Sequence, residues 1–276
     1  MADTWRPAEP DIETIRRIAR DPMKALADLE IPACVFRGAY PVSDCDGLID
    51  RFIQKGLIDD PKTWDPETGR KRIDIGSSLA QKGNNQDAFF AHAAGTHELY
   101  ETLFDGFVDP VETLYDGLSA LASDKKVVTA YEPDGRRYGP AIFRIHYEGH
   151  RYAPHIDHVT LREKRFDFAV TRFTHQFAGV LVMRNTTTDA TATQSILHRC
   201  PWTPAIHPHL RGETFYEYAA AQNIESVRVD MNPGDLYFFN TGAIHEVPAL
   251  EGDDARVVLA VFVGYSEDDD EVFVWS

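Results

Sequence analysis

Cysteine is scarce in this chain of 276 residues. Cys34, Cys45 and Cys200 lie far apart and form no CxxC pair. An odd number of isolated cysteines predicts neither a disulfide framework nor a zinc site built from thiolates. We therefore expect three reduced thiols that take no part in the chemistry of the protein.

Long apolar runs are missing as well. No stretch approaches the roughly 18 consecutive apolar residues of a membrane-spanning helix, and the N-terminal residues lack the layout of a secretory signal. The hydrophobic content of 43% is nevertheless enough for a sizeable core. These features predict a soluble, cytoplasmic protein that does not bind a membrane.

Positive charge is in short supply: 28 Lys and Arg face 44 Asp and Glu, which gives a net charge of −16. A phosphate backbone would be repelled, so we do not expect nucleic acid as a partner. Two basic segments stand out, Arg70 to Arg72 and the group Arg162, Lys164 and Arg165. Each is either a solvated surface patch or a site that attracts an anionic small substrate.

Several motifs of common enzyme classes are also absent. No GxSxG elbow, Walker loop or GxGxxG precedes a predicted helix, so hydrolase, nucleotide triphosphatase and nicotinamide-dependent classes lack support. The chain has no internal repeat, low-complexity tract or linker either. We expect one domain over residues 1–276, in which 1–125 form a mainly helical support and 126–276 form a β core.

The first half of the chain has helical periodicity. Asp11 is predicted to cap one helix, and Ser43 with Asp46 resembles a capping box at the start of another. Residues 86–104 and 109–122 give two further helical patterns, the second with Pro in its first turn.

The pattern changes near residue 126, where short β-branched and aromatic runs alternate with turn residues. Many short strands with few intervening helices predict an all-β core, a jelly roll or double-stranded β-helix, with the N-terminal helices packed on one sheet. The candidate strands are 33–36, 126–131, 140–147, 151–157, 167–173, 177–184, 194–199, 226–230, 235–240 and 256–264.

A candidate metal site comes from two separated segments. His155 and Asp157 are two residues apart, so on an extended chain their side chains lie on the same face. His245, just beyond the apolar run 236–239, is the predicted third ligand. Two imidazoles and one carboxylate form the facial triad of non-haem Fe(II) oxygenases, which leaves three coordination positions open.

Arg256 adds a second element to this pattern. It lies eleven residues after His245, at the head of a strongly apolar predicted strand. A guanidinium group buried there is costly unless it is paired, and a dicarboxylate such as 2-oxoglutarate would pair it through two charge-assisted hydrogen bonds. The alternative is an ion pair with Asp253 or Asp254 at the end of the strand.

An HxD motif, a distal His and an Arg about ten residues later resemble the Fe(II)/2-oxoglutarate-dependent dioxygenase superfamily, over residues 139–276. The segments 233–239 and 264–267 and the ending Val-Trp-Ser resemble two related groups more narrowly. These are the N-substituted L-amino-acid hydroxylases that act on N-succinyl amino acids, and the carrier-independent halogenases of indole alkaloid pathways. In those halogenases the position of Asp157 is glycine, which opens a site for chloride, so the resemblance favours the hydroxylases.

The resemblance implies a role for each matched residue. His155, Asp157 and His245 would bind Fe(II), and Arg256 would bind the distal carboxylate of 2-oxoglutarate, with Arg144 nearby. A segment from Gly69 to Leu79 would line the substrate pocket, as it does in the halogenases. Together with the second basic segment it supplies the predicted substrate-binding residues Arg70, Arg72, Ile73, Ile75 and Arg162.

Other polar residues carry weaker signals. His146 and His150 lie on or beside a predicted strand and should not converge on a metal, and His158 should point away from His155. A Gly-Gly pair that many relatives have before the mid-domain strand is replaced here by residues 190–193, Ala-Thr-Ala-Thr.

The function that the resemblance implies is hydroxylation of an unactivated aliphatic C–H bond with Fe(II), 2-oxoglutarate and O₂. The implied substrate is a small anionic molecule, an N-succinyl or other N-acyl branched L-amino acid such as N-succinyl-leucine, hydroxylated at its β carbon. The alternatives are an oxygenase of the same scaffold acting on a free amino acid or an alkaloid, a cupin-type metal protein without oxygenase activity, and an inert carbohydrate-binding sandwich. A homodimer is also considered.

Overall fold

The computed structural model describes residues 5–185, 194–250 and 254–276. Within these ranges the helices are α1 (Ile12–Ile18), α2 (Pro22–Ala27), α3 (Val42–Gln54), α4 (Leu79–Lys82), α5 (Gln86–Leu103), α6 (Pro110–Ala122), α7 (His207–Arg211) and α8 (Phe215–Ala221). The strands are β1 (Ala33–Phe36), β2 (Arg72–Ile75), β3 (Lys126–Thr129), β4 (Ile142–His146), β5 (Tyr152–His155), β6 (His175–Arg184), β7 (Ser195–Pro201), β8 (Ser226–Val229), β9 (Leu236–Asn240), β10 (Ala243–Val247), β11 (Arg256–Tyr265) and β12 (Glu271–Trp275).

The strands form two sheets. The larger has eight strands, in the order β1, β9, β6, β11, and the far edge of β11 pairs with β4 at one end and with β12 at the other. β2 extends the sheet beyond β4, and β3 runs parallel to β12. The smaller sheet has the order β5, β10, β7, β8 and is antiparallel throughout. The predicted jelly-roll architecture is confirmed.

Strand β11 lies in the middle of the larger sheet and is buried on both faces. Leu259 packs among residues of the helical layer, including Leu48 of α3 and Leu118 of α6. Val258 faces the other way and packs with Leu197 of the smaller sheet. The helices therefore cover one face of the larger sheet, as predicted, and the other face encloses the space between the sheets.

The predicted helix starts are partly right. Asp11 caps α1 as expected, because its carboxylate accepts a hydrogen bond from the Thr14 amide at 2.8 Å. The capping box predicted at Ser43 and Asp46 is wrong. Helix α3 begins one residue earlier, after Pro41 and without a side-chain cap, and Asp46 instead accepts a hydrogen bond from Arg184 at 3.0 Å.

The strand predictions failed where polar residues interrupt the apolar pattern. Residues 167–173 were predicted as a strand, but Ala169–Arg172 form a 3₁₀ turn. Strands β2, β10 and β12 were not predicted, and neither were helices α2, α4, α7 and α8. β10 has the sequence AIHEV and carries the predicted metal ligand His245. Its central His and Glu interrupt the apolar pattern by which the other strands were predicted.

None of the helices in the described ranges is long and apolar enough to cross a membrane.

Candidate metal centre and its cavity

The two candidate histidine ligands lie side by side on neighbouring strands. β5 and β10 pair antiparallel, and His155 and His245 are direct partners in the register. Their ring centroids are 4.3 Å apart. Ninety residues separate them in the sequence, and the pairing of these two strands alone brings them together.

Backbone carbonyls orient both imidazole rings. The Nδ1 atom of His155 lies 2.7 Å from the carbonyl oxygen of Ala153, and that of His245 lies 3.0 Å from the carbonyl of Ala243. A carbonyl can only accept, so each Nδ1 carries the proton and each Nε2 keeps a lone pair for a metal. Both Nε2 atoms are 3.7 Å from Oδ2 of Asp157.

Asp157 completes the group. One ligand atom from each of the three residues lies within 4.8 Å of the others, and among the described residues no other group of His, Cys, Asp and Glu has this geometry. The Asp157 amide donates to the carbonyl of Thr241 at 3.0 Å, which fixes the chain just beyond β5. The arrangement fits a single ion held by two imidazoles and one carboxylate.

The second oxygen of the Asp157 carboxylate is held by Arg162. Nη1 of Arg162 donates to Oδ1 of Asp157 and also to the carbonyl of Ile156 at 2.9 Å. Oδ2 therefore remains available on the side of the histidines. Contacts of this kind orient metal ligands in many proteins.

The electrostatics favour the ligating forms of Asp157 and His245. Burial raises the pKa of Asp157, but the imidazoles of His155 and His245 outweigh this effect and hold the pKa well below its usual range. Burial, together with the neighbouring His155, lowers the pKa of His245. A charged carboxylate and a neutral imidazole are the forms that bind metal ions.

Arg256 and Arg144 line the same cavity as the three candidate ligands, between the two sheets. The Nε atoms of both are buried and have no hydrogen-bond partner among the described residues. Arg256 is only 5% exposed, and burial lowers its pKa. Asp254, a partner considered for Arg256, lies 3.9 Å from Arg184 instead. Asp253 lies outside the described residues.

A group of polar residues that the sequence did not single out surrounds Arg256. His146 is its direct partner on β4, and the His146 ring bonds the hydroxyl of Tyr152 at 2.9 Å. His150 stacks on His146 with ring centroids 4.5 Å apart, so these two histidines contact each other and not the triad. Burial and the nearby Arg72 and Arg256 lower the pKa of His150 to about 4, which keeps this ring neutral at pH 7.

The structure separates the predicted substrate residues of β2. Arg72 lies beside the cavity, bonded to Asp74 at 2.8 Å and 6.0 Å from the centre of the Tyr152 ring. Ile73 and Ile75 point to the opposite face of the sheet and are buried in the core beneath the helices. We therefore remove these two from the candidate site.

Arg70 also lies apart from the cavity. Its side chain is 60% exposed and bonds Asp59 at 2.8 Å on the surface. The alternation of side chains along β2, which the sequence did not reveal as a strand, explains why neighbouring residues of this segment have such different surroundings.

A second, larger cavity adjoins the first at His155, which lines both. The loop after β5 and helix α7 form its walls, with Arg162, Lys164, Trp202 and Arg211 among the lining residues. We call the cavity between the sheets the inner cavity and this one the outer cavity. Helix α7 was not predicted. Neither Arg211 at its end nor Trp202 before it was recognised from the sequence.

Comparison with known families matches residues 9–276 to the family described as "Carrier-protein-independent halogenase WelO5". The chain belongs to this family. The resemblance to the Fe(II)/2-oxoglutarate-dependent oxygenases is thereby confirmed, and the chain is an enzyme of that superfamily. Comparison with curated protein sequences gives no match.

Solved structures share the WelO5-family fold of this chain. An N-substituted L-amino acid dioxygenase from Burkholderia ambifaria AMMD is 17% identical with a TM-score of 0.59, over 92% of this chain and 90% of that one. Its complex with alpha-KG gives 16% identity and a TM-score of 0.57 over the same shares. HygX from Streptomyces hygroscopicus, with nickel and 2-oxoglutarate bound, is 13% identical with a TM-score of 0.48, over 90% of this chain and 88% of that one.

Proposed function

We propose that this protein is an Fe(II)/2-oxoglutarate-dependent hydroxylase of a small anionic molecule. In this proposal His155, Asp157 and His245 bind the iron, and Arg256 binds the distal carboxylate of 2-oxoglutarate with Arg144 beside it. The observation that carries the proposal is that Arg256 and Arg144 line the same cavity as the three ligands, each with a buried Nε atom that has no hydrogen-bond partner among the described residues.

The donor set supports iron. Two imidazole nitrogens and one carboxylate oxygen converge from one side, and this combination suits a divalent ion of the first transition series with open positions opposite the protein ligands. A site built for zinc alone would more often close its coordination shell or use thiolates. All three cysteines are absent from this cavity.

The two guanidinium groups support a dicarboxylate. A buried charge without a partner costs several kcal/mol by the usual account of desolvation, and a bound carboxylate would remove that cost. Arg256 lies at the start of β11, with Tyr237 and Ser195 also lining the cavity and bonded to each other at 2.7 Å. A metal isomerase or sensor of the cupin type has no need for such an anchor.

The chemistry of the bound Fe(II) and 2-oxoglutarate would be the activation of O₂ for attack on an aliphatic C–H bond. The residues of the chain would position the metal and the substrate and exclude water. Asp157 would be one of the metal ligands, and Arg162 holds its carboxylate in place. The residues of the two sheets keep bulk water away from the ligands, and the walls of the site orient the C–H bond.

Asp157 favours hydroxylation over halogenation, although the family is described as one of halogenases. The halogenases in the resemblance have glycine at this position, which frees a place for chloride. In this chain a half-buried carboxylate would fill that place, and its low pKa keeps it charged. A chloride ion would meet a negative charge there.

Asp157→Gly tests this point. We expect hydroxylation to fall by about 100-fold or more, because the metal loses a ligand and Arg162 loses its partner. Mass spectrometry of products formed in chloride buffer, with Asp157→Asn as the matched control, measures both hydroxylated and chlorinated species. Full hydroxylase activity in Asp157→Gly would contradict the assigned role.

The substrate we propose is an N-succinyl or other N-acyl branched L-amino acid, with N-succinyl-leucine as the first candidate and its β carbon as the position attacked. The resemblance stated above and the cations of the outer cavity support this choice. The same scaffold acting on a free amino acid or an alkaloid is the second candidate.

The experiment is an assay of purified protein with Fe(II), ascorbate and 2-oxoglutarate under air. Succinate that forms only when N-succinyl-leucine is present, together with a product heavier by one oxygen atom, would support the proposal. A panel of free amino acids and indole alkaloids, followed by O₂ uptake, tests the second candidate. Failure of every substrate to stimulate turnover would contradict a hydroxylase of this class. Light scattering would test the homodimer considered above.

A further inference from the structure

We infer that the outer cavity is an anion-binding substrate site in which Lys164 and Arg211 bind carboxylate groups and Trp202 contacts the apolar part of the molecule. This inference rests on the proposed function, because it names the substrate class and the residues that recognise it. The sequence placed Lys164 only within the second basic segment, and it gave Arg211 and Trp202 no role.

The two cavities differ in size. The inner cavity holds about 60 Å³ and the outer one about 650 Å³. Sites for small organic molecules commonly measure roughly 300–1,000 Å³, so of these two cavities the outer one has room for a substrate. His155 lines both, which places the outer cavity next to the metal ligands.

Charge distinguishes the outer cavity from the rest of the molecule. The chain carries a net charge of −16, yet Arg162, Lys164 and Arg211 line this cavity, and no Asp or Glu of the described ranges does. A cavity lined by one sign of charge concentrates ligands of the opposite sign. In so acidic a protein, the lining selects an anion.

The three cations differ in what they already bind. Arg162 is engaged with Asp157 and the carbonyl of Ile156. Lys164 and Arg211 form no ion pair with any residue in the described part of the chain, where the structure pairs many other Arg and Lys residues with acids. They are therefore the groups free to bind a substrate carboxylate, whereas Arg162 is a positioning residue for the metal ligand.

Apolar groups lie between these charges. Trp202, Leu161 and Leu210 line the same cavity, and the Lys164 ammonium lies 5.9 Å from the centre of the Trp202 ring. Lys164 itself has a φ of 56°, a left-handed conformation that residues other than glycine rarely adopt. Cations around an aromatic and aliphatic wall fit an amphiphile with at least one carboxylate and an aliphatic chain, as in an N-acyl amino acid.

The test measures binding without turnover. The Fe(II) and 2-oxoglutarate-loaded protein is titrated anaerobically with N-succinyl-L-leucine and with N-acetyl-L-leucine, and tryptophan fluorescence is recorded. We expect a change in emission that Trp202→Phe removes, and affinity for N-succinyl-L-leucine that falls about tenfold in each of Lys164→Gln and Arg211→Gln, as for the loss of a charged hydrogen bond. The dimethyl ester of N-succinyl-L-leucine should bind weakly to all of these proteins.

Matched controls come from the helical side of the molecule. Lys55→Gln and Arg20→Gln remove one exposed cation each away from both cavities, and we expect them to bind like wild type. Wild-type affinity in Lys164→Gln and Arg211→Gln, or no binding of either leucine derivative by the wild type, would overturn the inference.

Calorimetry with 2-oxoglutarate separates this inference from the proposed function. If the iron-loaded wild type binds no 2-oxoglutarate, the proposed function fails. If 2-oxoglutarate binds equally to the wild type and to both outer-cavity variants while the variants keep their affinity for N-succinyl-L-leucine, only the outer-cavity inference fails.

Discussion

The inner and outer cavities meet at His155 but are built differently. The inner cavity lies between two sheets, and its arginines, Arg144 and Arg256, have buried Nε atoms without hydrogen-bond partners in the part of the chain that the structure describes. The outer cavity is formed by a loop and the short helix α7, and its cations Lys164 and Arg211 are exposed at the rim. Strands fix the residues that would bind the same metal and co-substrate in every turnover, whereas the loop and helix present those that would recognise a substrate.

The comparison predicts different consequences for equal charge changes in the two regions. Removing a group from the inner cavity should disable metal or 2-oxoglutarate binding, while removing Lys164 or Arg211 from the outer cavity should weaken substrate binding alone. Four variants test this division, beginning with the largest effect.

His155→Ala should have the largest effect. The variant loses one of three metal ligands, so we expect iron affinity to fall by at least about 100-fold and turnover to be lost. Equilibrium dialysis with Fe(II) under anaerobic conditions measures the first, and succinate formation the second. His158→Ala is the matched control, since His158 is not one of the three ligands. Unchanged iron affinity in His155→Ala would show that the metal binds elsewhere.

Arg256→Met should have the second-largest effect. It removes a buried guanidinium whose Nε has no hydrogen-bond partner among the described residues, so we expect the affinity for 2-oxoglutarate to fall by roughly 30-fold or more, at unchanged iron affinity. Arg184→Met, one strand away on the surface, is the control because Arg184 pairs with Asp46. Thermal unfolding should show that Arg256→Met is not destabilised, since burial of its charge is costly. Unchanged affinity for 2-oxoglutarate would exclude Arg256 as the anchor.

Arg162→Gln should have an intermediate effect. Arg162 orients Asp157 without touching the metal, and groups in such positions commonly contribute about 10-fold to metal affinity. We expect a loss of that size in Fe(II) affinity, with Arg162→Lys recovering part of it. A variant that loses substrate affinity while its iron affinity is unchanged would assign Arg162 to the substrate, as the sequence suggested.

Arg70→Gln should have the smallest effect. Arg70 is an exposed residue whose one ion pair, with Asp59, lies on the surface. Surface ion pairs contribute about 0–1 kcal/mol, so we expect the variant to keep its stability, iron affinity and substrate affinity. A large rise in the KM for N-succinyl-leucine would restore Arg70 to the substrate site and weaken the distinction between the two cavities.

Much of the inner cavity could be predicted from the sequence. Spacing placed His155 and Asp157 together, and the order of His245 and Arg256 along the chain pointed to 2-oxoglutarate. These residues lie on or next to strands, where the alternation of side chains ties sequence position to orientation. The structure brings these four residues to one cavity even though β10 itself was not recognised as a strand.

The same alternation of side chains explains which part of the substrate-pocket prediction failed. Arg72 and Ile73 were predicted to line one pocket, but a strand places adjacent side chains on opposite faces, and Ile73 lies in the helical core. Residues 72–75, RIDI, do alternate charged and apolar residues as a strand would. The alternation covers only four positions, which was too short to predict a strand.

The amino-acid sequence alone determined the class of chemistry, since ligand types and their order along the chain are local properties. Only the tertiary structure decided which of the cationic side chains pair with an acidic residue in the described part of the chain. Whether Arg162 binds a substrate or a metal ligand, and whether Arg256 meets an acid, depends on distances between segments far apart in the sequence. Pairing of β5 with β10 and of β4 with β11 sets those distances, and no spacing rule encodes them.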